Sequence, residues 1–144
     1  MSDVTCTELD RGQRAALRTA LDAAGLPVAD LDEAGRRFFR IDAASGGGYA
    51  GLEGTGRDRL LRSVLVDASV RYSGVGRQLV DAIEARARAD GAERLHLLTT
   101  TAAAFFARCG YRLAERERAP PGIAASHEFA RLCPASAAYF VKSL

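Results

Sequence analysis

The chain has 144 residues, enough for one domain with a hydrophobic core, and 48% of them are hydrophobic and 26% charged, as in ordinary globular proteins. Its net charge of +2 is too small to indicate nucleic acid or an anionic membrane as a partner, and no apolar run is long enough for a transmembrane helix. The polar, acidic first ten residues do not resemble a signal peptide, and three widely spaced cysteines (Cys6, Cys109 and Cys133) predict the reducing cytoplasm, with neither a disulfide framework nor a metal site.

The first half of the chain predicts two helices followed by antiparallel strands. A strand over residues 4–8 precedes a helix that ends at Gly25, with Asp10 as its N-cap and Gln13 as the capping-box partner. Residues 29–36 predict a second, short helix. A strand at 38–41, a hairpin turn at 45–48, a strand at 49–53 and a turn at 54–58 follow. They lead to the strand at residues 60–66, which we call the central strand.

The second half predicts a strand, a helix and a second, parallel strand. Residues 60–66 are an apolar run with β-branched members, typical of a buried strand, and apolar positions then recur at helical spacing from Gly74 to Gly91. The strand at 95–98 must run parallel to the central one because a helix connects them. The remaining predicted elements are a short helix at 102–109, a strand at 111–115, a loop at 119–122, a helical turn at 126–132 and a strand at 137–141. Together the elements predict a single α+β domain over residues 1–144.

Residues 71–76 join the central strand to its helix and have the form R-x-x-G-x-G. Gly74 and Gly76 in the first turn of a helix allow a ligand to approach the backbone closely. The free N–H groups of that turn bind anions together with the helix dipole, and Arg71 and Arg77 can add positive charge. The hexapeptide predicts a phosphate or pyrophosphate cradle, and glycines that only help the chain to turn explain it equally well.

Taken in order, the strand, the R-x-x-G-x-G loop, the helix, the second strand and the segment FFARCGY resemble the GNAT superfamily of acyl-CoA-dependent N-acetyltransferases. A closer resemblance, to the arsenic-resistance N-acetyltransferases within it, rests on AAGLP (23–27), ADLDE (29–33), GLE (51–53), LLRS (60–63), LLTTTA (97–102), FFARCGY (105–111) and EFARLCPASA (128–137). The resemblance implies a mixed, largely antiparallel sheet with a central splayed parallel strand pair, flanked by helices. It also implies direct transfer, in a ternary complex, of the acetyl group of acetyl-CoA to the amine of a small organoarsenical or amino-acid-like compound.

The same resemblance implies which residues bind the cofactor. Backbone N–H groups of Leu65 and Val66 are expected to hold the thioester and the pantetheine, and those of residues 72–77 the pyrophosphate. Phe105 and Phe106 lie where many GNAT enzymes carry a tyrosine as general acid, so water or another hydroxyl, such as Ser136 or Tyr139, must protonate the coenzyme A thiolate. The complete predicted cofactor set is Leu65, Val66, Arg71, Tyr72, Ser73, Gly74, Val75, Gly76, Arg77 and Phe106.

Two charged residues in apolar strands are candidates on the acceptor side. Glu53 ends the strand beside the central one and is the candidate general base, and a solvated strand-end acid paired with Arg62 explains it equally well. Arg62 lies within the central strand, where a buried charge needs a partner. Its guanidinium either binds a carboxylate or arsonate-like group of the acceptor through two parallel hydrogen bonds, which we call the substrate fork, or forms a structural ion pair with Glu53 or Asp42.

Hydroxyl and thiol groups near the chain's second parallel strand and C-terminal segment are further candidates. Thr99, Thr100 and Thr101 can contact the acceptor or the pantetheine, although Thr101 can instead cap the following helix. Cys133 is an expected wall of the acceptor pocket, although a lone cysteine is more often a small buried residue. Ser136 is the candidate catalytic hydroxyl, and His127 with Glu128 lies in the acceptor-side segment as a lower-ranked pair of candidates.

Two other function classes stay open at this point. The missing tyrosine is compatible with an acyl-CoA-binding module without catalysis. The cysteines are compatible with a thiol-based arsenical-binding protein, which requires two of them to lie within a few ångströms. The main prediction is a cytoplasmic N-acetyltransferase for a small amine, and a homodimer is common among GNAT proteins although the sequence locates no interface.

Overall fold

A mixed sheet of seven strands runs through residues 4–71 and 74–144, which are the residues that the computed structural model describes. The strands are β1 (Thr5–Glu8), β2 (Arg36–Ala43), β3 (Gly46–Glu53), β4 (Asp58–Val66), β5 (Arg94–Thr99), β6 (Arg112–Ala114) and β7 (Ala138–Ser143). The helices are α1 (Arg14–Ala23), α2 (Val75–Ala89), α3 (Ala103–Arg108) and α4 (Pro121–Ala124), with 3₁₀ turns at Arg11–Gln13, Ala68–Val70 and Arg116–Arg118 and a π-helical turn at Glu128–Leu132. None of the helices in these residues is both long and apolar enough to cross a bilayer.

The sheet has the order β1-β2-β3-β4-β5-β7-β6 and is antiparallel except for the pair β4 and β5. The predicted antiparallel early strands and the parallel central pair are therefore confirmed. Parallel pairing joins only residues 58–60 of β4 to residues 94–96 of β5. Both strands continue beyond this stretch, to Val66 and Thr99, without pairing to each other, which confirms the predicted splay.

Helices cover both faces of the sheet. Phe39 belongs to a core cluster with the apolar side of α2, and Phe38 to a second cluster with Leu17 and Leu21 of α1. Because neighbouring residues of a strand point to opposite faces, α1 and α2 lie on opposite sides of β2. A third cluster, around Leu60, packs α4 and the π-helical turn against the sheet.

The predicted capping box opens the 3₁₀ turn Arg11–Gln13, which leads directly into α1, and the predicted Gly25 follows the helix. The Asp10 carboxylate accepts a hydrogen bond from the Gln13 N–H at 3.0 Å, and the Gln13 side chain accepts one from the Asp10 N–H at 2.9 Å. The capping box is therefore confirmed. Gly25, with a φ of 73°, follows the helix and ends it in the left-handed conformation that glycine adopts without strain.

The second helix predicted at residues 29–36 is wrong. This segment forms turns, and only its last residue enters β2. The Leu31 carbonyl accepts a hydrogen bond from Arg14 of α1 at 2.8 Å instead of one from its own segment. Asp30 in this segment is buried, with 1% of its surface exposed.

Two predicted turns are wrong in extent. The hairpin between β2 and β3 turns at residues 44–45 rather than 45–48, and the glycines that follow belong to β3. A Cβ at Gly47 or Gly48 would collide with backbone oxygens of the neighbouring strands, so these glycines permit close strand packing rather than a turn. The predicted loop at 119–122 is also shorter, since its last two residues begin α4 with a proline in the first turn.

Candidate active site

A β-bulge in β4 lies just beyond its last pair with β5. The register against β3 changes from Tyr49 opposite Leu65 to Gly51 opposite Arg62, so β4 carries one residue more than β3 in this stretch. Ser63 within the bulge has a φ of 56°, which is uncommon for a residue other than glycine. The bulge bends the strand, and the far end of β4 faces a gap instead of β5.

The gap between the splayed strands opens into a cavity of about 750 Å³, which we call the strand-gap groove. Its lining comes from the end of β4, the start of α2 and helix α3, and comprises Val64, Leu65, Val66, Arg71, Gly74, Gly76, Arg77, Thr101, Ala102, Ala104, Phe105, Phe106 and Arg108. Three of these residues are arginines and none of them is acidic. The described part of the groove therefore favours an anionic ligand.

The N-terminus of α2 opens onto this groove. Gly74 precedes the helix with a φ of 88°, a left-handed conformation that is strained for most other residues. The N–H groups of the first helical turn have no partner within the helix, so they are available to an anion. Arg77 is half exposed and pairs with Asp81 at 3.3 Å, and the exposed Arg71 donates a hydrogen bond to the Val66 carbonyl at 3.3 Å. Arg77 also donates to the Arg108 carbonyl at 3.0 Å, and both guanidinium groups add positive charge to the groove at the helix end.

A second, smaller cavity of about 190 Å³ adjoins the groove, and we call it the inner cavity. It is lined by Gly25, Leu26, Pro27, Leu61, Arg62, Ser63, Val64, Leu97, Leu98, Thr99, Thr100, Thr101, Ala102, Phe106, Glu128, Cys133, Pro134 and Ala137. Both cavities share Val64, Thr101, Ala102 and Phe106 as lining residues. The two cavities therefore lie next to each other at the bulge of β4 and the start of α3.

A network of five charged residues lies beside the inner cavity, and we call it the buried charge network. Arg62 has a fully buried side chain and donates to both oxygens of Asp30, at 2.6 and 2.7 Å, and to Glu53 at 2.9 Å. Its Nε lies 2.9 Å from Glu128. Arg36 adds a second cation, 3.2 Å from Asp30 and 3.6 Å from Glu53. With every member ionised, three carboxylates face two guanidinium groups, so the network carries one net negative charge.

Asp30 and Glu128 of this network have pKa values that are shifted in opposite directions. Burial opposes the ionisation of Asp30, but hydrogen bonds from Arg62 and Arg36 outweigh it and hold the pKa of that carboxyl below its usual range. Glu128 shows the opposite balance. Burial, reinforced by the charges of Asp30 and Glu53 and opposed by Arg62, raises the pKa of Glu128 to about 6.

Glu128 opens the π-helical turn, and neighbouring groups fix that turn in place. Arg116 donates to the Phe129 carbonyl at 2.9 Å and to the Pro134 carbonyl at 3.0 Å, so it holds both sides of the segment. The second oxygen of Glu128 lies 3.7 Å from the Cys133 thiol. Short π-helical turns are frequent at functional sites because they redirect side chains.

The family model for an acetyltransferase (GNAT) domain matches residues 33–113. The match covers more than half of the chain and includes the bulged strand, the glycine loop, α2 and α3. The chain belongs to the GNAT acetyltransferase family.

Curated relatives of this GNAT chain match it over shorter stretches. N-alpha-acetyltransferase 80 of Mus musculus is 45% identical over 56 residues, which are 39% of this chain and 18% of that protein. The amino-acid acetyltransferase of Ectopseudomonas mendocina is 37% identical over 71 residues, which are 49% of this chain and 16% of that protein. The matched stretches thus span less than a fifth of either relative.

Solved structures resemble the GNAT chain over nearly its whole length. N-acetylglutamate synthase of Neisseria gonorrhoeae, complexed with coenzyme A and L-arginine, has a TM-score of 0.77 at 18% identity and covers 98% of this chain and 33% of its own. The Mycobacterium tuberculosis protein Rv2747, in complex with CoA, has a TM-score of 0.71 at 18% identity and covers 97% of this chain and 99% of its own. These likenesses confirm the predicted GNAT-like fold, and the resemblance to arsenic-resistance enzymes stays a prediction.

Most of the predicted cofactor residues lie at the groove of this GNAT fold. The lining includes Leu65, Val66, Arg71, Gly74, Gly76, Arg77 and Phe106. The Val75 side chain is fully buried in the core, so only its backbone can face a ligand. Tyr72 and Ser73 lie outside the described residues.

The geometry of Arg62 favours the structural alternative over the substrate fork. Each of its three nitrogens lies within 2.9 Å of a carboxylate oxygen. The predicted pair with Glu53 is confirmed, but Asp42 is the wrong partner because it pairs with Arg40 at 3.1 Å. Glu53, the predicted base, is held by Arg62 and Arg36 and is absent from the described lining of both cavities.

The predicted hydroxyl groups separate into two sets. Thr100 and Thr101 line the inner cavity, but it is Thr99 that accepts a hydrogen bond from the Ala102 N–H, at 3.0 Å, so the predicted cap by Thr101 is wrong. Ser136 is exposed and is absent from the described lining of both cavities. The structure therefore does not place it where a catalytic hydroxyl is needed.

Tyr139, the other predicted hydroxyl, is also engaged elsewhere. Its OH lies 2.7 Å from Nδ1 of His96, whose Nε2 lies 2.7 Å from Asp58. The side chains of Tyr139 and His96 are buried, and neither residue is among the described lining of the groove or the inner cavity. This chain of contacts therefore joins β4, β5 and β7.

The three cysteines lie on separate parts of the described fold. Cys6 is on β1, Cys109 follows α3 and Cys133 precedes β7, where it lines the inner cavity. Burial raises the pKa of Cys6 and of Cys109. Burial, together with the charge of Glu128, raises the pKa of the Cys133 thiol to about 12. All three are therefore thiols rather than thiolates near neutral pH.

Sequence reasoning missed Asp30 and underrated Glu128. The only signal was Arg62, a cation within an apolar strand that required carboxylate partners. Asp30 lies 32 positions away from Arg62 along the chain, and nothing local distinguishes it from its neighbouring acids. Only the folded arrangement shows which acids meet the guanidinium.

Proposed function

We propose that this chain is an acetyl-CoA-dependent N-acetyltransferase that transfers the acetyl group directly to the amine of a small molecule. The observation that carries the proposal is that the two cavities adjoin at Val64, Thr101, Ala102 and Phe106, which line both of them. A thioester that reaches this junction through the groove meets an amine held in the inner cavity. Such positioning of two reactants supplies much of the acceleration in acyl transfer.

The strand-gap groove has the features required by acetyl-CoA, the cosubstrate of the GNAT family. The phosphates of the cofactor fit the free N–H groups of α2 and the guanidinium groups of Arg71, Arg77 and Arg108. Residues 64–66 of β4 have no strand partner on the side of the gap. Their backbone can bind the pantetheine arm as an added strand binds a sheet edge.

The inner cavity limits the size of the acceptor. Its volume of about 190 Å³ is equivalent to roughly six water molecules at about 30 Å³ each. Amino acids are one acceptor class, because the curated relative of Ectopseudomonas mendocina is an amino-acid acetyltransferase. Small organoarsenical amines are the other, because the Cys133 thiol lines the cavity. We also propose a single GNAT domain over residues 1–144.

An acetylation screen tests this function. The purified chain is incubated with acetyl-CoA and a panel of amino acids, simple amines and organoarsenical amines, and both coenzyme A thiol and product mass are measured. We expect at least one small amine to give an acetylated product in an amount equal to the thiol released. Binding of acetyl-CoA without transfer to any amine would favour the non-catalytic acyl-CoA-binding module, and absence of binding would refute the proposal.

A further inference from the structure

Resting on the proposed acetyltransferase function, we infer that Glu128 receives the acceptor as an ammonium cation and takes its proton. Glu128 is then a catalytic residue, whereas Glu53 is a positioning residue that holds Arg62. The inference also decides between the proposed acceptor classes, because it favours a primary amine with no carboxylate beside the reacting nitrogen over an amino acid.

The position of Glu128 is the first argument. Among residues 4–71 and 74–144, it is the only carboxylate in the lining of either cavity. It lies in the inner cavity, whose lining continues through Thr101 and Val64 into the groove. The carboxylate therefore faces the space in which an acceptor approaches a thioester.

The hydrogen bonding of Glu128 leaves one oxygen available. Oε2 is held by Arg62 at 2.9 Å, which fixes the orientation of the group. The contact of Oε1 with the Cys133 thiol is 3.7 Å, and a thiol is a weak donor. An ammonium group is a stronger donor and forms a charge-assisted hydrogen bond with the same oxygen.

The charge of the surroundings is the third argument. The buried charge network carries one net negative charge, and a cation in the inner cavity neutralises it. Arg62 is the only cationic side chain in the described lining of that cavity, and its nitrogens are already paired with Asp30, Glu53 and Glu128. A carboxylate on the acceptor would therefore meet no free cation and would lie near three anions, which is unfavourable in a desolvated site.

The titration of Glu128 suits this role. Groups that face it from all neighbouring elements are Arg62 on β4, Glu53 on β3, Arg36 on β2, Asp30 in the turns before β2 and Cys133 before β7. With a pKa of about 6, Glu128 is ionised at pH 7 and still basic enough to accept a proton.

The reaction then balances without another reactant. Glu128 takes one proton from the ammonium group, and the free amine attacks the carbonyl carbon of the thioester. A C–N bond forms, the C–S bond breaks and its electron pair leaves with sulfur. The second proton is lost from nitrogen as the amide forms and neutralises the thiolate. The products are the acetamide, coenzyme A thiol and protonated Glu128, which returns its proton to solvent.

The first test measures kinetics with 3-methylbutylamine and with L-leucine, which differ only by the carboxylate. We expect kcat/KM to be higher for 3-methylbutylamine and to fall about tenfold per pH unit below pH 6. We call this fall in kcat/KM at low pH the acidic limb. In Glu128→Gln we expect kcat to fall at least about 100-fold and the acidic limb to disappear, with unchanged acetyl-CoA affinity. Faster turnover of L-leucine, or an acidic limb that persists in Glu128→Gln, would overturn the inference.

Two matched controls separate this role from a structural one. Glu93 is exposed and pairs with Arg57 at 3.0 Å outside both cavities, so Glu93→Gln is expected to leave the kinetics unchanged. Glu53→Gln is expected to lower stability and activity but to retain the acidic limb. Loss of that limb in Glu53→Gln would transfer the role of base to Glu53.

A second test does not depend on turnover and keeps the inference separate from the proposed function. Binding of 3-methylbutylamine to the complex with coenzyme A is measured by calorimetry for the wild type and for Glu128→Gln. We expect affinity to fall at least about tenfold in the variant. Equal affinity would overturn the inference even if acetyl transfer is found. If the wild type binds the amine more tightly than Glu128→Gln does but transfers no acetyl group, the result would support the binding role of Glu128 and refute the proposed enzyme.

Discussion

The strand-gap groove and the inner cavity are built from different kinds of sequence information. The groove is formed by two stretches, residues 64–77 and 101–108, so its main parts lie close together in the chain. The inner cavity and its charge network bring together residues 30, 36, 53, 62 and 128 from five separate elements. A local motif therefore predicts the groove, whereas the inner cavity and its charge network exist only in the folded molecule.

The two regions also differ in how their charges are stabilised. The arginines at the groove are exposed, so water and salt screen them and each contributes little to folding. The guanidinium of Arg62 is fully buried and depends on its carboxylate partners. Changes at the groove should therefore affect ligand affinity, and changes in the buried network should affect stability.

The largest effect is expected for Arg62→Ala. The change leaves three buried carboxylates opposite the single guanidinium of Arg36, which should cost about 3 to 5 kcal/mol in the free energy of unfolding. Urea unfolding measures it, with Arg57→Ala as the control because Arg57 is 77% exposed. Equal unfolding midpoints for the two variants would show that Arg62 is free for a ligand, as the fork hypothesis requires.

Smaller effects are expected for the arginines of the groove. Arg71→Gln and Arg77→Gln should each weaken coenzyme A binding roughly two- to fivefold, because each removes one exposed charge near the phosphates. The differences should shrink as ionic strength rises. Arg118→Gln is the control, since Arg118 is 83% exposed and pairs with Glu115 outside the described lining of both cavities. An equal loss in all three variants would indicate a general effect of net charge.

The smallest change concerns the reactivity of Cys133. Because burial and the charge of Glu128 raise the pKa of the thiol, we expect slow alkylation by iodoacetamide at pH 8 that becomes faster as pH rises. Glu128→Gln removes the neighbouring negative charge and should accelerate alkylation at pH 8. Mass spectrometry of the labelled peptide measures the rate, and a slower reaction in the variant would contradict the assigned contact.

The elements that were predicted correctly are those specified by local patterns. The apolar spacing of α2, the capping box before α1 and the apolar run of β4 each lie within one segment. The helix predicted at residues 29–36 failed because side chains from α1 and β4 determine that segment's conformation. Gly47 and Gly48 were assigned to a turn because close approach between strands is not visible in a linear pattern.

The candidate site shows the same division. Gly74, Gly76 and Arg71 could be identified because the glycine loop precedes an amphipathic helix. Arg62 could be recognised as unusual, but its partners Asp30 and Glu128 could not be chosen, because long-range contacts decide between equivalent acids.

The central claim is that acetyl-CoA binds in the groove with its pyrophosphate at the N-terminus of α2. Calorimetric titration of acetyl-CoA into the wild type, Gly74→Asn and Gly74→Asp tests it most directly. Asparagine and aspartate both tolerate the left-handed conformation of Gly74 and have the same shape, and the space around this Cβ is open. The two variants therefore differ only in charge.

We predict that the wild type and Gly74→Asn bind acetyl-CoA within roughly threefold of each other and that Gly74→Asp binds at least about tenfold more weakly than Gly74→Asn. Equal affinity of the two variants would show that the pyrophosphate lies elsewhere. Absence of binding to the wild type would contradict the account of the groove as a whole.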